Sequence, residues 1–564
     1  MAQCLKRGGT RLGDLEGELT FRNVKLRLED AMRPPEVMCA TQSGSMGTSV
    51  PLSARVEKAV KRGEQFAQTG GFDWFATGLT SSFFLVDLLN VLHHELWRDE
   101  VGAWLIARQS HSIFDLVRNM RYEGHPALWF LLLFGLTRFT HVIFTMQVLN
   151  LVIATGTAYL IAAHSPFSRL QKVLLCFGYF PLYEYGTISR NYGVGLLLLF
   201  WFCVAYHPDR RQSWVGSAVL LSLLANTSVY GAMIAISFAV SFMVIPAIAT
   251  KDGGKSRFFR SAYSGKVALI LLIGLMLAIL QMHPPPDTFI TWKLHSYNVQ
   301  KTMTVVWKAF FPIPKSLSHF WNSNILDSKK RTMMLGSMVI LIITFDSLWR
   351  RRLALIAYAS VAAAILLFSL LIDPGFERHF GHLFVAFIAC LWISAKLKEE
   401  PVPRSLLEWL SPGLAAQRKT ILTCLLGVHV MVAVIVSGVD WKRPFSQGKA
   451  AAAFLRNKGL AERFVVSRDY AGETIAGYLD RGVYYTGGQG IGTFIVWNQN
   501  WRRYPENPIE SATEFANKRH EDVLIVSSSP LENAAGVAHS MAEFTGSIVQ
   551  DEEFYIYRIE PVRR

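Results

Sequence analysis

Residues 97–130 read "WRDEVGAWLIARQSHSIFDLVRNMRYEGHPALWF" and lie between two strongly apolar stretches. Their ionisable side chains are Arg98, Asp99, Glu100, Arg108, Arg118, Arg121, Glu123 and His125. Charged groups are costly in hydrocarbon, so a membrane chain keeps such a segment outside the lipid or buries it in protein. The stretch therefore predicts a polar loop that follows the first membrane span.

The composition supports the same fold class. Of the 564 residues, 51% are hydrophobic and only 18% are charged, which is too apolar for an ordinary soluble protein. The formal net charge is +15, but the basic residues are scattered among apolar runs rather than gathered in one stripe, so nucleic-acid binding is excluded. The six cysteines show no CxxC spacing and predict neither a disulfide framework nor a zinc site.

The chain divides into three parts by composition. Residues 1–72 are polar and basic, which predicts a disordered cytoplasmic tail, and residues 73–440 carry the apolar runs of a transmembrane domain. The first run, at 75–94, is expected to stay as an uncleaved anchor. Residues 441–564 contain short β-rich runs between helical patterns, which predicts a small soluble α/β domain. Its closing "EEFYIYRIE" alternates like an edge strand.

The distribution of basic loops predicts the topology. Basic loops alternate with poorly charged ones, and the positive-inside rule places the basic set in the cytoplasm. This parity holds only if residues 126–140 do not cross the membrane. The prediction is about 11 spans with a cytoplasmic N-terminus, and with 95–142, 283–331 and everything after 440 outside. The C-terminal domain has no N-x-[ST] site, which favours a bacterial plasma membrane over the endoplasmic reticulum.

The acidic pair Asp99–Glu100 begins an amphipathic run directly after the first span. Adjacent residues cannot point the same way on a helix, so one carboxylate can face a cavity while the other binds a helix N-terminus or an arginine. Simple capping of the amphipathic helix is an equally good interpretation of the pair alone.

Further ionisable groups occur at the predicted outer ends of later spans. "PLYEYGTISRNYG" and "DPGFERHFGH" supply Glu184, Arg190, Asn191, Glu377, Arg378, His379 and His382. A structural ion pair such as Glu184–Arg190 is one interpretation. The other is a site where cations hold a lipid-linked phosphate and a carboxylate accepts a proton from a hydroxyl.

The order of these motifs resembles the GT-C superfamily of membrane glycosyltransferases. The features are an acidic pair after the first span, an amphipathic loop, "GHPALW" before an apolar stretch, and "SRNY" before another. The pattern is most similar to the branch of the protein O-mannosyltransferases and lipid A aminoarabinose transferases. The resemblance covers residues 75–250 and implies an inverting transferase with a polyprenyl-phosphate sugar donor.

The resemblance also implies roles for individual residues. Asp99 would be the catalytic acid residue and Glu100 its companion, while Arg190 would match the arginine of the family's Ser-Arg-Tyr motif. The chain departs from that pattern, because Ala127 stands where a second proline is usual and Asn191 precedes Tyr192. We further assign Arg378 and His379 to donor phosphate binding. The predicted substrate or positioning residues are Glu123, His125, Glu184, Asn191 and His382.

The predicted reaction is transfer of a sugar from the polyprenyl-phosphate donor to a hydroxyl of a glycan, lipid or protein acceptor on the extracytoplasmic face. The enzyme works at the lipid bilayer and has no nucleic-acid partner. No cofactor is expected, with a divalent metal left as an alternative. A membrane transporter or lipid flippase is the main alternative function, and a non-catalytic scaffold for the C-terminal domain is another.

Overall fold

The computed structural model describes residues 73–246, 262–289, 298–501, 507–532 and 536–562. The predicted tail at 1–72 lies outside these residues. The chain begins with six helices, which are α1 (Trp74–His93), α2 (Arg98–Gln109), α3 (Ile113–Met120), α4 (Leu128–Thr137), α5 (Phe144–His164) and α6 (Arg169–Cys176). A π-helical segment, Tyr179–Thr187, follows and lies entirely in the core.

The helical part continues with longer apolar elements. These are α7 (Asn191–Ala205), α8 (Ser213–Ala225), α9 (Val229–Ala239, continued by a π-turn at Val240–Val244), α10 (Ala262–Met282), α11 (Val299–Phe310), α12 (Lys330–Leu348), α13 (Arg352–Leu371) and α14 (Glu377–Ser394). Two short helices, α15 (Leu406–Leu410) and α16 (Pro412–Ala416), lead into α17 (Arg418–Asp440).

Six helices of the described part are long and apolar enough to cross a membrane by length and composition. They are α1, α5, α10 from Ser264, α12, α13 and α17. Shorter apolar helices accompany them, among them α4, whose ten residues rise about 15 Å, half of a hydrocarbon core. That length is compatible with a segment that does not cross. The number of spans and their direction stay predictions.

The C-terminal region forms one mixed sheet. Its elements are α18 (Gly448–Asn457), β1 (Phe464–Ser467), α19 (Ala471–Leu479), β2 (Val483–Tyr485), β3 (Gly490–Gly492), α20 (Pro508–Arg519), β4 (Val523–Ser527), β5 (His539–Phe544) and β6 (Phe554–Ile559). The strand order is β3-β2-β1-β4-β6-β5, with β1 parallel to both β2 and β4. The "GGQG" sequence forms the turn between the antiparallel strands β2 and β3.

The position of β6 differs from the sequence prediction. We expected an edge strand, but β6 pairs with β4 on one side and β5 on the other, and five of its six residues are buried. The local alternation cannot reveal a covering strand that is supplied from elsewhere in the chain. Here β5 takes the edge position.

The main hydrophobic core runs from the helices into one face of the sheet, where Val465, Leu524 and Phe554 join it. A smaller cluster lies on the opposite face under α20. Close packing of α19 on α2 is possible because Gly477 has no side chain, since a Cβ there would lie 2.2 Å from Val101. This packing places the C-terminal region directly beside the start of α2, where the acidic pair lies.

Candidate active site

The two acids at the start of α2 have different environments. Glu100 is fully buried, and its carboxylate accepts hydrogen bonds from the backbone N–H of Trp97 at 3.3 Å and of Ser189 at 2.6 Å. It also lies 3.1 Å from Nε2 of His94. Glu100 therefore caps α2 and ties it to the loop before α7. This is the division of roles that the sequence suggested for adjacent acids.

Asp99 points into open space between two arginines. Its side chain is 29% exposed, and Oδ2 lies 2.6 Å from Nη1 of Arg190 and 3.8 Å from Nη2 of Arg378. Nε of Arg98 lies 3.9 Å from the other carboxylate oxygen. Burial alone would raise the pKa of Asp99, but these guanidinium charges outweigh it and hold the pKa below its usual value. Asp99 is therefore ionised at neutral pH.

Both arginines stand at helix starts. Arg190 is the residue before α7, and Arg378 is the second residue of α14. The Arg378 guanidinium lies over the rings of Trp321 at 5.1 Å and Trp97 at 5.7 Å, distances at which cation–π attraction operates. The two tryptophans meet edge to face with their centroids 4.5 Å apart. Aromatic packing therefore fixes Arg378, while its Nε is buried without a hydrogen-bond partner among the described residues.

Two cavities meet at Asp99 and Arg378. The first, which we call the helix-side cavity, has a volume of about 330 Å³ and is lined by Glu123, His125, Arg190, Tyr192, Tyr230, Phe368 and His379, among others. The second, the sheet-side cavity, has about 560 Å³ and lies between Trp97, Arg98, Trp321, Asn322 and the C-terminal residues 548–551. Asp99 and Arg378 line both, so a group bound on either side can reach the same carboxylate.

Two titratable groups of the helix-side cavity have strongly shifted pKa values. Burial raises the pKa of Glu123 to about 7, with the negative charge of Asp99 adding to the effect and Arg190 opposing it. Burial, assisted by the charges of Arg190 and Arg378 and opposed by Asp99, lowers the pKa of His125 to about 4. His125 is therefore neutral at pH 7, while Glu123 exchanges its proton in the neutral range.

His379 completes the lining of the helix-side cavity. Its Nδ1 accepts a hydrogen bond from the backbone N–H of Phe376 at 3.2 Å, which leaves the ring proton on Nε2. Nε2 lies 3.1 Å from the hydroxyl of Tyr192, and the ring stacks on Tyr230 with centroids 4.9 Å apart. These contacts hold the imidazole as a neutral donor facing the cavity wall.

The structure brings together six of the ten predicted site residues. Asp99, Glu123, His125, Arg190, Arg378 and His379 line the helix-side cavity. The other four lie behind it and make structural hydrogen bonds, as described for Glu100. Glu184 accepts from the hydroxyl of Tyr179 at 2.7 Å, and Asn191 donates to the carbonyl of Thr227 at 2.6 Å. His382 bonds the carbonyl of His379 at 2.9 Å.

The ion pairs differ from those considered from sequence. Arg190 pairs with Asp99 rather than with Glu184. Glu377 binds Nζ of Lys308 at 2.9 Å, and Lys308 also binds Asp327 at 2.8 Å. Sequence spacing favoured the nearest acid along the chain. The ion pairs that form depend instead on the direction of each side chain at a helix start, because successive residues of a helix point to different sides.

Several residues of the site were not identified from the sequence. Trp97 lies inside the opening stretch, and Trp321 lies in the long 283–331 loop, so the local density of aromatic residues could have suggested both. Glu473 gave no such signal. Its carboxylate lies against Gly102, one turn after Asp99, where a Cβ would come within 2.7 Å of it. It accepts a hydrogen bond from the backbone N–H of Ile495 at 3.2 Å.

The C-terminal region is tied to the site by Arg98. Its guanidinium binds Asp551 at 2.6 Å and Glu552 at 3.3 Å, which lie just before β6. It also lies over the ring of Tyr470 at 4.8 Å. These contacts close one wall of the sheet-side cavity. Among the described residues, no group of three or more His, Cys, Asp or Glu is arranged to hold a metal ion.

Comparison with solved structures finds matches that cover most of the chain. The chain is similar to the crystal structure of ArnT from Cupriavidus metallidurans in the apo state, with 13% sequence identity, a TM-score of 0.49, and coverage of 86% of this chain and 98% of that one. It is also similar to ArnT from the same organism bound to undecaprenyl phosphate, with 13% identity, a TM-score of 0.48 and the same coverage. No protein-family model and no curated protein matches the chain.

Proposed function

We propose that the protein is an inverting membrane glycosyltransferase that moves a sugar from a polyprenyl-phosphate donor to an acceptor hydroxyl on the extracytoplasmic face. The observation that carries the proposal is the position of Asp99. It is an ionised carboxylate held by two arginines at helix starts, and it lines two separate cavities. Transfer between two substrates needs such a shared point, whereas a structural ion pair does not.

The helix-side cavity suits the donor. Arg190 and Arg378 both line it, and a guanidinium can bind a phosphate with two parallel hydrogen bonds. Its walls include Tyr192, Tyr230 and Phe368, which suit the apolar and ring surfaces of a lipid-linked sugar. The donor class itself comes from the sequence resemblance, and the geometry supports it by providing cations where a phosphate would lie.

The sheet-side cavity suits the acceptor. It is bounded by the C-terminal residues 548–551 and by Arg98, so its shape depends on the C-terminal sheet region as well as on the apolar helices. The acceptor hydroxyl would approach Asp99 from this side, opposite the donor phosphate. That approach gives inversion at the anomeric carbon.

The reaction is a single displacement. The acceptor oxygen attacks the anomeric carbon, its proton passes to Asp99, and the bond between that carbon and the phosphate oxygen breaks. The bonding electrons leave with the polyprenyl phosphate, where Arg190 and Arg378 stabilise the developing charge. A phosphate leaving group needs no general acid, so one carboxylate is sufficient. Glu100 acts as a positioning residue, because its hydrogen bonds fix the start of α2.

The test is transfer of radiolabelled sugar from polyprenyl-phosphate donors in membranes that contain the protein. Parent protein should transfer label, Asp99→Asn should not, and Asp209→Asn provides a matched control because Asp209 is exposed on the loop between α7 and α8. Substrate-dependent flux in vesicles without transfer from any donor would favour a transporter. Full activity of Asp99→Asn in complementation would favour the scaffold.

A further inference from the structure

A further, apolar cavity lies away from the candidate active site. Its volume is about 510 Å³, and its walls come from α12, α14, α17 and the end of α11. Phe310, Ile340, Phe387 and Leu391 represent its lining, which is almost entirely apolar. We call it the α17 cavity. An apolar cavity of this size is unfavourable to fill with water, because each Å² of apolar surface removed from water is worth about 25 cal/mol.

The depth of the α17 cavity matches one leaflet of a bilayer. Along α17 its lining extends over the eleven residues from Arg418 to Val428, a rise of about 15 Å, half of a hydrocarbon core of about 30 Å. Cys424 and Lys419, both exposed, show that the cavity opens to the surface of the helical part. The length of the cavity therefore matches the acyl chain of a lipid in one leaflet.

Exposed apolar side chains beside the mouth of the cavity suit a membrane interface. The short helices α15 and α16, directly before α17, expose Leu406, Trp409, Leu410 and Leu414, and Trp409 is 73% exposed. Tryptophan is enriched at the level of lipid headgroups, where its ring can lie between hydrocarbon and water. The start of α17 follows immediately, so Arg418 and Lys419 lie at headgroup level.

The charge around this mouth is positive. The segments 345–353, 396–408 and 418–419 contain eight Lys and Arg residues against four Asp and Glu residues. Arg418 is engaged by Asp346 and Glu408. The exposed amine of Lys419 has no ion-pair partner in the described part of the chain, and the residue lines the cavity. An anionic lipid headgroup could form an ion pair with the amine of Lys419.

We infer that the α17 cavity is a binding site for an anionic phospholipid, with its acyl chain between α12, α14 and α17 and its phosphate beside Lys419. The site lies at the other end of α14 from Arg378: Leu391 follows Glu377 by 14 residues, about 21 Å along a helix. It is therefore separate from the proposed donor site and independent of the proposed reaction.

Lipid selectivity of the purified protein tests this inference. Native mass spectrometry of the full chain, reconstituted with equal amounts of phosphatidylglycerol and phosphatidylcholine, should show phosphatidylglycerol retained preferentially. One lysine near a lipid surface supplies roughly a fivefold preference. Lys419→Glu should abolish it. Lys442→Glu is the matched control, since Lys442 is an exposed lysine beyond the opposite end of α17, and it should leave the preference unchanged.

Labelling of Cys424 tests the location. In a variant with Cys4→Ser and Cys39→Ser, maleimide should label Cys424 more slowly in phosphatidylglycerol nanodiscs than in phosphatidylcholine nanodiscs. The Lys419→Glu variant should lose that protection. The inference would be overturned if the parent retained both lipids equally, or if Cys424 were labelled at the same rate in both nanodiscs. Either result would indicate a surface that binds any bilayer lipid or detergent. Protection by a polyprenyl phosphate alone would overturn it as well.

Discussion

Asp346 in α12 and Asp99 in α2 both bind arginines, and the two ion pairs differ in what surrounds them. Asp346 accepts two hydrogen bonds from Arg418, at 2.5 and 3.1 Å, and a third from the hydroxyl of Ser405. Glu408 binds the same guanidinium at 3.0 Å. All four carboxylate oxygens of Asp346 and Glu408 accept at least one hydrogen bond. Asp99 has one close partner, Arg190, while Arg378 stays 3.8 Å away and both face open cavities.

The difference separates a structural cluster from one that has room for a ligand. A bidentate pair with added hydrogen bonds stabilises the fold and leaves no room for a ligand. The Asp99 cluster carries more cations than it needs to neutralise one carboxylate, so it can accept a further anion. The first three predictions below compare the two clusters. The last concerns Glu123, which lines the helix-side cavity together with Asp99.

The largest expected effect is that of Asp99→Asn. A group that takes a proton in the transition state contributes roughly 10²–10⁴-fold, so transfer should fall by that factor while the melting temperature stays close to that of the parent. The measurement is the initial rate of label transfer together with thermal unfolding. Residual activity near one half would remove Asp99 from the chemistry.

Asp346→Asn should behave in the opposite way. It replaces a carboxylate that holds Arg418 with two hydrogen bonds, so the free energy of unfolding should fall by about 1–3 kcal/mol. Transfer measured below the melting temperature should stay within about twofold of the parent, well under one power of ten in rate. If Asp346→Asn lowered transfer as strongly as Asp99→Asn, the contrast between the clusters would be lost.

The arginines should show an intermediate effect. Arg190→Lys and Arg378→Lys keep the charge but remove the guanidinium fork, and the loss of one hydrogen bond to a charged group should raise the KM for donor about tenfold. The readout is donor binding measured beside thermal unfolding. Variants that bind donor as the parent does and merely melt earlier would show that the arginines are structural.

The smallest expected effect is a pH dependence from Glu123. Because its pKa is raised to about 7 in the folded protein, its stabilising contribution is present below the unfolded value near 4.5 and is lost as pH rises through 7. The parent should therefore lose stability between pH 5 and pH 8 by an amount that Glu123→Gln does not lose. Parallel curves for both proteins would show that Glu123 ionises normally. Asp99 contributes with the opposite sign, only at acid pH.

The sequence by itself determined the class of the protein and the region of the site. Long apolar runs can be stable only in lipid or in a large core, and ionisable residues between them must lie where water or protein partners reach them. For that reason the loop after α1 and the starts of α7 and α14 could be identified as neighbours of one site. Helix geometry also predicted that Asp99 and Glu100 point different ways, but only the family resemblance implied which of them faces the cavity.

Only the tertiary structure decided which groups meet. Arg190 forms an ion pair with Asp99 rather than with Glu184. The guanidinium of Arg378 lies over the rings of Trp97 and Trp321. The carboxylate of Glu473 packs against α2 because Gly102 has no side chain. Likewise β6 became an interior strand once β5 covered it. The physical reason is the same in each case. Composition and periodicity predict which faces of one segment are buried or exposed, but they do not identify the residues that cover it. These partners are distant in sequence and are brought together by the packing of the whole chain.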